Sequence, residues 1–318
     1  MKILTIVFIL IVSLNADNLL PNAVFSTKNN VISTTVSKNL LFVSTDGGSI
    51  EIFDIKTAHL LNTITLPKIK NGFSDELENP RIISTNSLDG KKILILSEDT
   101  KAGKAVHIYE NGKLEQIFSH EDKLNISKIY FLDNDRVILG TLGNEIMLYE
   151  LNKKTFLYSV QSYWSMLTDF TLDSKNSLVF SATEGGIIYI HNALSGKKID
   201  EFAAHTDIAL NISHSNGVII SGGADKKCFT ILLKTGEKYS LDADFPIYAT
   251  GVSPSGKTGA FILNERNDIA LFDTQNRQIK TVLKTAIENK KINNIIFLSE
   301  DELIISSNGK EILKWRVE

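Results

Sequence analysis

The chain has 318 residues, and its 34 basic side chains nearly balance its 37 acidic ones, which gives a formal net charge of -3. This balance, without any long basic run, argues against a nucleic acid as the partner. Cys228 is the only cysteine, so an intrachain disulfide is excluded.

The N-terminal segment has the pattern of a secretory signal peptide. Lys2 precedes an uncharged apolar run over residues 3–14, which is shorter than the roughly 20 residues of a membrane-spanning helix. Ala16 offers a small residue for cleavage, so we expect residues 1–16 to be removed, with an uncleaved anchor as the alternative. No cysteine lies nearby for a lipid, and we expect no stable membrane anchor after cleavage. An exported protein with one thiol fits the periplasm.

The rest of the chain repeats one pattern of short apolar runs seven times. The runs are rich in Ile, Val, Phe and Tyr and are separated by Gly, Asn, Asp and Ser, as in LVFSATEGGIIYIHNA. The residues that close the third run of each unit are Phe53, Tyr109, Tyr149, His191, Ile231, Phe272 and Trp315. They recur about every 41 positions after a longer first interval. Four short strands in each such unit predict a β-propeller with seven blades.

Two additional segments lengthen the first interval, and the last unit is short by one strand. The additional segments are Pro67–Pro80 and Ser97–Ala105. The last unit ends after its third strand, and residues 22–28 (NAVFSTK) read as a strand. We predict that this strand completes the last blade, because a closed ring has no exposed sheet edges. The expected fold is all-β: a single seven-bladed propeller over residues 17–318, closed by an N-terminal strand.

One segment carries a resemblance to a known repeat. SGGADKKCFTIL, which begins at Ser221, is similar to the turn-and-strand signature of WD40 repeats. The resemblance implies that His205, Ser221 and Asp225 form part of that family's structural hydrogen-bond network. The family's Trp position is Ile231, so the network cannot close as it does in the family. Weaker matches are HEDKL at His120, SPSGK at Ser253 and WR at Trp315, and the chain resembles a divergent WD40-like propeller.

The sequence holds no recognisable catalytic constellation. Its six histidines are scattered, without the spacing of a metal site or of covalent haem attachment. We expect His120 and His205 to be structural residues of blade connections, His191 to be a packed core ring and Cys228 to be buried. The paired glycines lie in hairpin turns and do not precede helices, which excludes a phosphate loop. No catalytic, cofactor-binding or metal-binding residue is predicted.

Carboxylates are frequent in the turns between second and third strands. They are Asp46, Glu98, Asp99, Glu145, Glu184, Asp225, Glu265 and Asp268. These turns surround one end of the channel, so the pattern fits a metal or sugar-lactone site, as in calcium-dependent lactonase propellers. The alternative, which we favour, is solvated hairpin tips with turn-forming Asp and Asn.

Aromatic and Met side chains in the blade connections predict a docking face for a protein partner. The candidate residues are Phe73 in the first insertion, Tyr163, Trp164 and Met166 in SYWSMLTD, and Phe245 and Tyr248 in DADFPIYAT. Such side chains on exposed loops anchor protein interfaces. The alternative is that each ring packs between adjacent blades.

Three functions remain open from the residues alone. One is an exported propeller that binds protein partners. The second is a lactonase-like or quinone-dependent dehydrogenase-like enzyme. NALSGKKIDEF resembles quinoprotein blade turns, but only two Trp residues are present for a family that uses Trp repeatedly. The third is an outer-membrane assembly propeller, which usually carries a lipid anchor.

Taken whole, the chain resembles the NapL-type accessory proteins of periplasmic nitrate reductase systems. The likeness rests on a short signal peptide, a single divergent propeller of this length and an end just after a strand. It implies a non-catalytic periplasmic protein that supports assembly, maturation or activity of a molybdenum-dependent nitrate reductase. The reductase components would be its protein partners, and no catalytic residue is implied.

Overall fold

The computed structural model describes residues 20–70, 76–161 and 165–317, and the predicted signal peptide (1–16) lies outside them. The described residues form seven four-stranded antiparallel sheets and one two-stranded hairpin. Consecutive inner strands contact each other around the ring, and the last inner strand contacts the first. The predicted all-β, seven-bladed propeller is confirmed.

The strands follow the chain from the inner to the outer position in each blade. β1 (Ala23–Ser26) comes first and belongs to blade 7. Blade 1 contains β2 (Val31–Ser37), β3 (Leu40–Thr45), β4 (Ser49–Asp54) and β5 (Leu60–Thr65). The hairpin β6 (Ile69–Lys70) and β7 (Leu77–Glu78) follows within the predicted insertion. Blade 2 contains β8 (Ile82–Asn86), β9 (Ile93–Glu98), β10 (Lys104–Glu110) and β11 (Lys113–Phe118).

Blades 3 to 5 repeat this order without insertions. Blade 3 contains β12 (Ile126–Phe131), β13 (Arg136–Thr141), β14 (Glu145–Glu150) and β15 (Thr155–Gln161). Blade 4 contains β16 (Leu167–Asp173), β17 (Leu178–Thr183), β18 (Ile187–Asn192) and β19 (Lys198–Ala203). Blade 5 contains β20 (Ala209–Ser215), β21 (Val218–Gly223), β22 (Lys227–Leu232) and β23 (Glu237–Asp242).

The last two blades complete the ring. Blade 6 contains β24 (Thr250–Val252), β25 (Thr258–Ile262), β26 (Ile269–Asp273) and β27 (Ile279–Leu283). Blade 7 contains β28 (Ile292–Phe297), β29 (Glu302–Ser307) and β30 (Glu311–Arg316), with β1 as its outer strand. Two 3₁₀ turns, Thr100–Ala102 and His120–Asp122, are the only helical segments in the described part of the chain.

The N-terminal strand closes the ring as predicted. β1 pairs antiparallel with β30, with Phe25 opposite Ile312. Hydrogen bonds on either side extend this pairing, from Asn22 N to Lys314 O at 2.9 Å and from Thr27 N to Lys310 O at 2.8 Å. Phe25 is fully buried, and its ring packs edge to face against Phe53 of blade 1, with 5.7 Å between the ring centroids. The strand therefore joins blade 7 to blade 1 through both its backbone and its core side chain.

The hydrophobic core is divided among the blade interfaces. The seven apolar clusters of the described residues each combine side chains from two neighbouring blades. Every blade thus buries both faces, which explains the nearly continuous apolar runs in its middle strands. The residues that close the third runs occupy equivalent register positions, such as His191 opposite Val179, Ile231 opposite Ile219 and Trp315 opposite Leu303. The repeat spacing located these positions correctly.

Two residues predicted to be buried lie where expected. His191 is buried beside Tyr189, at 6.2 Å between ring centroids. Burial, with a smaller effect from the charge of Lys198, lowers the pKa of His191 to about 4. Cys228 is fully buried, and burial raises the pKa of its thiol. Neither side chain is available for surface chemistry near neutral pH.

We expect Phe25→Ala to lower the free energy of unfolding by about 3–5 kcal/mol, because it removes a buried ring at the closure of the propeller. Val24→Ala is the matched control, since Val24 is on the same strand and 43% exposed. It should change stability by no more than about 0.5 kcal/mol. Chemical denaturation measures both variants, and equal effects would contradict a closure that depends on the inward side of β1.

We expect His191 to make the protein less stable in acid. Its folded pKa of about 4 lies below the unfolded value, so the unfolded chain takes up a proton that the folded chain excludes. The stabilisation is complete above about pH 6.5 and is lost as the pH falls towards 4, up to about 3 kcal/mol. His191→Phe should flatten the dependence of unfolding free energy on pH in this window. An unchanged slope would show that other groups govern acid unfolding.

Candidate functional site

One face of the propeller carries most of the candidate residues. This connection face consists of the blade connections and of the turns at 46–48, 99–103, 142–144, 184–186, 224–226, 263–268 and 308–310. Backbone hydrogen bonds join the two sets, for example from Ala224 N to Ile208 O at 2.8 Å and from Asn308 N to Lys291 O at 2.9 Å. The turns between first and second strands, and those between third and fourth strands, form the opposite face. The predicted placement of both sets on one face is thus observed.

The inner strands place a ring of polar side chains in the channel. In six of the seven blades, the pairing of the inner strand with the second strand contains a register shift. The residues that directly follow the shift on the inner strand are Ser33, Ser84, Lys128, Asp169, Asn211 and Asn294. A β-bulge redirects the side chains of a strand, and all six residues line a cavity of about 230 Å³. The seventh inner strand, that of blade 6, begins at Thr250, directly after Ala249, and its pairing with the second strand shows no register shift.

Three of these polar residues connect neighbouring blades. Asp169 Oδ2 accepts a hydrogen bond from Ile212 N at 3.1 Å, and Asn211 Oδ1 accepts one from Thr250 N at 2.8 Å. Asn294 Oδ1 accepts one from Thr34 N at 3.0 Å across the closure of the ring. Inner strands of different blades do not pair with each other, so these bonds satisfy backbone groups that a sheet would otherwise satisfy.

An ion pair lies within this polar ring. Lys128 Nζ is 2.5 Å from Asp169 Oδ1, and Asn211 Nδ2 donates to Asp169 Oδ2 at 2.7 Å. Burial alone would lower the pKa of Lys128, but the Asp169 carboxylate and Tyr130 outweigh it, so the pKa is raised. The amine also lies 5.5 Å from the Tyr130 ring centroid. Lys128 therefore stays charged, and its charge is held by the protein itself.

The rim of the channel contains an aromatic residue from the predicted docking face. Tyr248 and Lys291 both line the channel cavity, and Lys291 Nζ lies 4.4 Å from the Tyr248 ring centroid. Burial lowers the pKa of Lys291. The Phe245 ring lies 6.2 Å from Tyr248, and both rings are half-buried. Tyr248 also packs against the apolar cluster between blades 6 and 7, so it has a structural role beside any role in binding.

The other predicted docking residues divide into two groups. Met166 is 48% exposed on the connection face, where its carbonyl accepts a hydrogen bond from Glu184 N. Phe73, Tyr163 and Trp164 lie outside the described residues. Their assignment to the docking face stays a prediction.

The residues of the WD40-like turn form a local hydrogen-bond network centred on His205. His205 Nδ1 is 2.9 Å from Asp225 Oδ1, and its Nε2 is 2.8 Å from Ser221 Oγ. Thr206 N donates to Asp225 Oδ2 at 3.0 Å. Burial lowers the pKa of His205 against the opposing effect of Asp225. Ile231 is buried in the Trp position, so this network stabilises a blade connection with three side chains.

A second His–Asp contact was not predicted as a pair. Asp99 Oδ2 accepts a hydrogen bond from His120 N at 2.8 Å and lies 3.1 Å from His120 Nδ1. Thr100 Oγ1 lies 3.0 Å from the same ring nitrogen. His205 bonds the Asp in the second-to-third-strand turn of its own blade, whereas His120, which precedes blade 3, bonds Asp99 in the corresponding turn of blade 2. The two contacts are therefore not equivalent in the repeat, and the WD40 resemblance gave no signal for the second one.

The turn carboxylates bond mainly within their own blades. Asp46 accepts hydrogen bonds from the backbone and side chain of Asn30, and Asp268 accepts one from Asn264. Among the described residues, no group of three or more His, Cys, Asp or Glu side chains is arranged to hold a metal ion. This local bonding favours the interpretation as hairpin tips.

In the same part of the chain, no helix is long and apolar enough to cross a membrane.

We expect Lys128→Met and Asp169→Asn to be coupled by about 1–3 kcal/mol in a double-mutant cycle, because each single change leaves a partly buried charge without its partner. Asp169→Asn keeps an oxygen that can accept the Ile212 N–H. The exposed pair Lys198–Glu201 is the control and should show a much smaller coupling. Additive effects at Lys128 and Asp169 would contradict a structural ion pair.

The comparisons with known proteins identify the fold. No protein-family profile matches the chain, and no curated protein matches it significantly. Among solved structures, 1789 chains match, so the architecture is widespread and a match indicates the fold alone. One of them is the C-terminal WD40 domain of Sif2, with a TM-score of 0.69 and 16% identity over 91% of this chain and 81% of that one. The chain therefore has a WD40-like seven-bladed β-propeller fold.

Proposed function

We propose that this chain is a non-catalytic β-propeller that binds a protein partner on its connection face. The observation that supports the proposal is that the polar side chains of the channel form hydrogen bonds within the protein. Asp169, Asn211 and Asn294 each accept a backbone N–H from the next blade. They stabilise the ring, and Asp169 is in addition paired with Lys128, so these groups are used within the fold. The fold is consistent with this role, since rigid propellers present large surfaces to partners.

The connection face provides side chains suited to an interface. Met166 is exposed, and the half-buried rings of Phe245 and Tyr248 lie beside polar and charged groups of the channel rim. A few apolar or aromatic anchors within a polar rim contribute most of the binding energy in many protein complexes. We include Phe73, Tyr163 and Trp164 in the proposed face from their positions in the sequence alone.

The compartment and the partner extend the proposal. The apolar N-terminal run supports export to the periplasm with cleavage after residue 16. The resemblance to NapL-type accessory proteins supports the components of a periplasmic nitrate reductase as partners. In this proposal the propeller assists assembly, maturation or activity of the reductase and performs no reaction of its own.

We expect the tagged protein, isolated from periplasmic extract, to bring the catalytic subunit of the nitrate reductase with it, and we expect Met166→Ala to weaken that contact by about fivefold or more. Biolayer interferometry with the purified subunit measures the affinity. Removal of an exposed apolar contact is the physical reason for the loss.

Leu88→Ala is the matched control for this experiment. Leu88 is 41% exposed in a turn of the opposite face, so its truncation removes a similar apolar area away from the proposed site. It should leave the affinity unchanged. Equal losses in both variants would contradict the connection face as the docking surface. A propeller found only in the cytoplasm, or a reductase that does not bind, would contradict the proposed compartment or partner.

A further inference from the structure

One position in the third strands differs in charge between blades. The position lies two residues before the residue that closes the third apolar run of each unit, and it has an equivalent register in every blade. In blades 2 to 7 it is occupied by His107, Met147, Tyr189, Phe229, Ala270 and Leu313. In blade 1 the same position, opposite Val43, is Glu51. Glu51 lies on the same side of β4 as Phe53, which packs in the cluster between blades 7 and 1. A carboxylate thus occupies a place where the other blades carry side chains that are neutral or, for His107, kept neutral by a lowered pKa.

A cavity of about 610 Å³ lies beside this carboxylate. Hydroxyl and amide side chains line much of it, and Lys28 lines it as well; the hydroxyl and amide residues are Ser26, Thr27, Asn29, Ser49, Thr63, Thr65 and Asn79. The turn at Gly47 fits under this lining, because a Cβ there would overlap the Asn29 amide. The volume lies within the range of roughly 300–1,000 Å³ that small-molecule sites occupy. The cavity lies apart from the channel and shares no lining residue with it.

Glu51 is almost completely enclosed by protein. It is 3% exposed, and its Oε1 accepts a hydrogen bond from Lys28 N at 3.1 Å. Burial raises the pKa of Glu51, although the Lys28 backbone bond and charge oppose the change. Among the ion pairs observed between described residues, none includes Glu51. Because the Lys28 charge offsets the cost of burying this carboxylate only in part, a cation in the adjacent cavity would reduce that cost further.

We propose that this cavity binds the guanidinium or primary ammonium group of an organic cation, with Glu51 as the counter-charge and the surrounding hydroxyl and amide groups as hydrogen-bond partners. A neutral polyol would use the hydroxyl lining but would gain little from an enclosed carboxylate. An anion would be repelled by it. The proposal does not rest on the protein-docking function, because it is argued from Glu51 and the cavity lining and not from the docking residues; the cavity lies between the outer parts of blades 7 and 1 and reaches the connection face at Gly47.

Acetyl-arginine amide and acetyl-citrulline amide are the probes, because they have nearly the same shape and differ in charge. Isothermal titration of the mature protein should show binding of the arginine compound at least about tenfold tighter than binding of the citrulline compound. Agmatine tests a free cation against a peptide-borne one; whichever of the two cations binds more tightly identifies the source of the ligand. Equal binding of the arginine and citrulline compounds, or no binding at about 10 mM, would overturn the proposal.

Two substitutions of Glu51 separate its charge from its structural role. Glu51→Gln keeps the size of the side chain and an acceptor for Lys28 N, so it should fold normally and weaken arginine binding at least about tenfold. Glu51→Met introduces the residue that blade 3 carries at this position. It should preserve or raise the unfolding temperature and abolish binding.

Glu288→Gln controls for net charge, since it removes one exposed carboxylate elsewhere and should leave binding unchanged. If Glu51→Gln bound arginine as tightly as the unchanged protein does, Glu51 would not be the counter-charge and the proposal would fail. If Glu51→Met unfolded, the comparison of Glu51→Gln with Glu288→Gln would still decide it.

Discussion

The pairing of β1 with β30 joins two distant parts of the chain, and the remaining blades depend on the closed ring that results. A blade of four strands buries both faces only when it has neighbours on both sides. The apolar cluster between blades 7 and 1 contains Phe25 from β1, Phe53 from blade 1 and Ile312 from blade 7. Without β1, this cluster would lose the Phe25 side chain, and β30 would have an unpaired edge. Closure is therefore a constraint on packing and on backbone hydrogen bonding together.

The polar ring of the channel solves a second problem that closure creates. Seven inner strands converge on one axis, but they belong to separate sheets and cannot satisfy each other's backbone groups by pairing. Bulges turn Asp169, Asn211 and Asn294 so that each caps an N–H of the next blade. Lys128 then neutralises the one carboxylate in this set. The channel is thus polar because the ring needs acceptors there, and polarity alone does not indicate catalysis.

The sequence predicted the parts of the fold that depend on local periodicity. The repeat placed Tyr149, Ile231 and Trp315 in equivalent positions because strand length and turn chemistry recur in each unit. It did not predict the bond between Asn294 and Thr34, since these residues are far apart in sequence and their contact depends on a bulge. The Asp99–His120 contact was missed for a similar reason, because it joins the turn of blade 2 to the connection that leads into blade 3. The local sequence pattern is enough to predict where strands lie. A contact between blades can be predicted only when the register of both strands is known.

The departures from the repeat differ in what they cost. Ile231 in place of the WD40 Trp removes one member of a polar network and leaves a well-packed apolar residue, so the blade loses little. Glu51 is different, because it introduces a buried carboxylate at a position where other blades use neutral residues. A sequence under selection for stability alone would favour a neutral side chain at that position. Local departures that lower stability without a packing gain are characteristic of functional sites. The same reasoning separates the two cavities: the Asp169 carboxylate in the channel is paired with Lys128 within the fold, whereas the charge of Glu51 is only partly offset by Lys28 and borders a cavity.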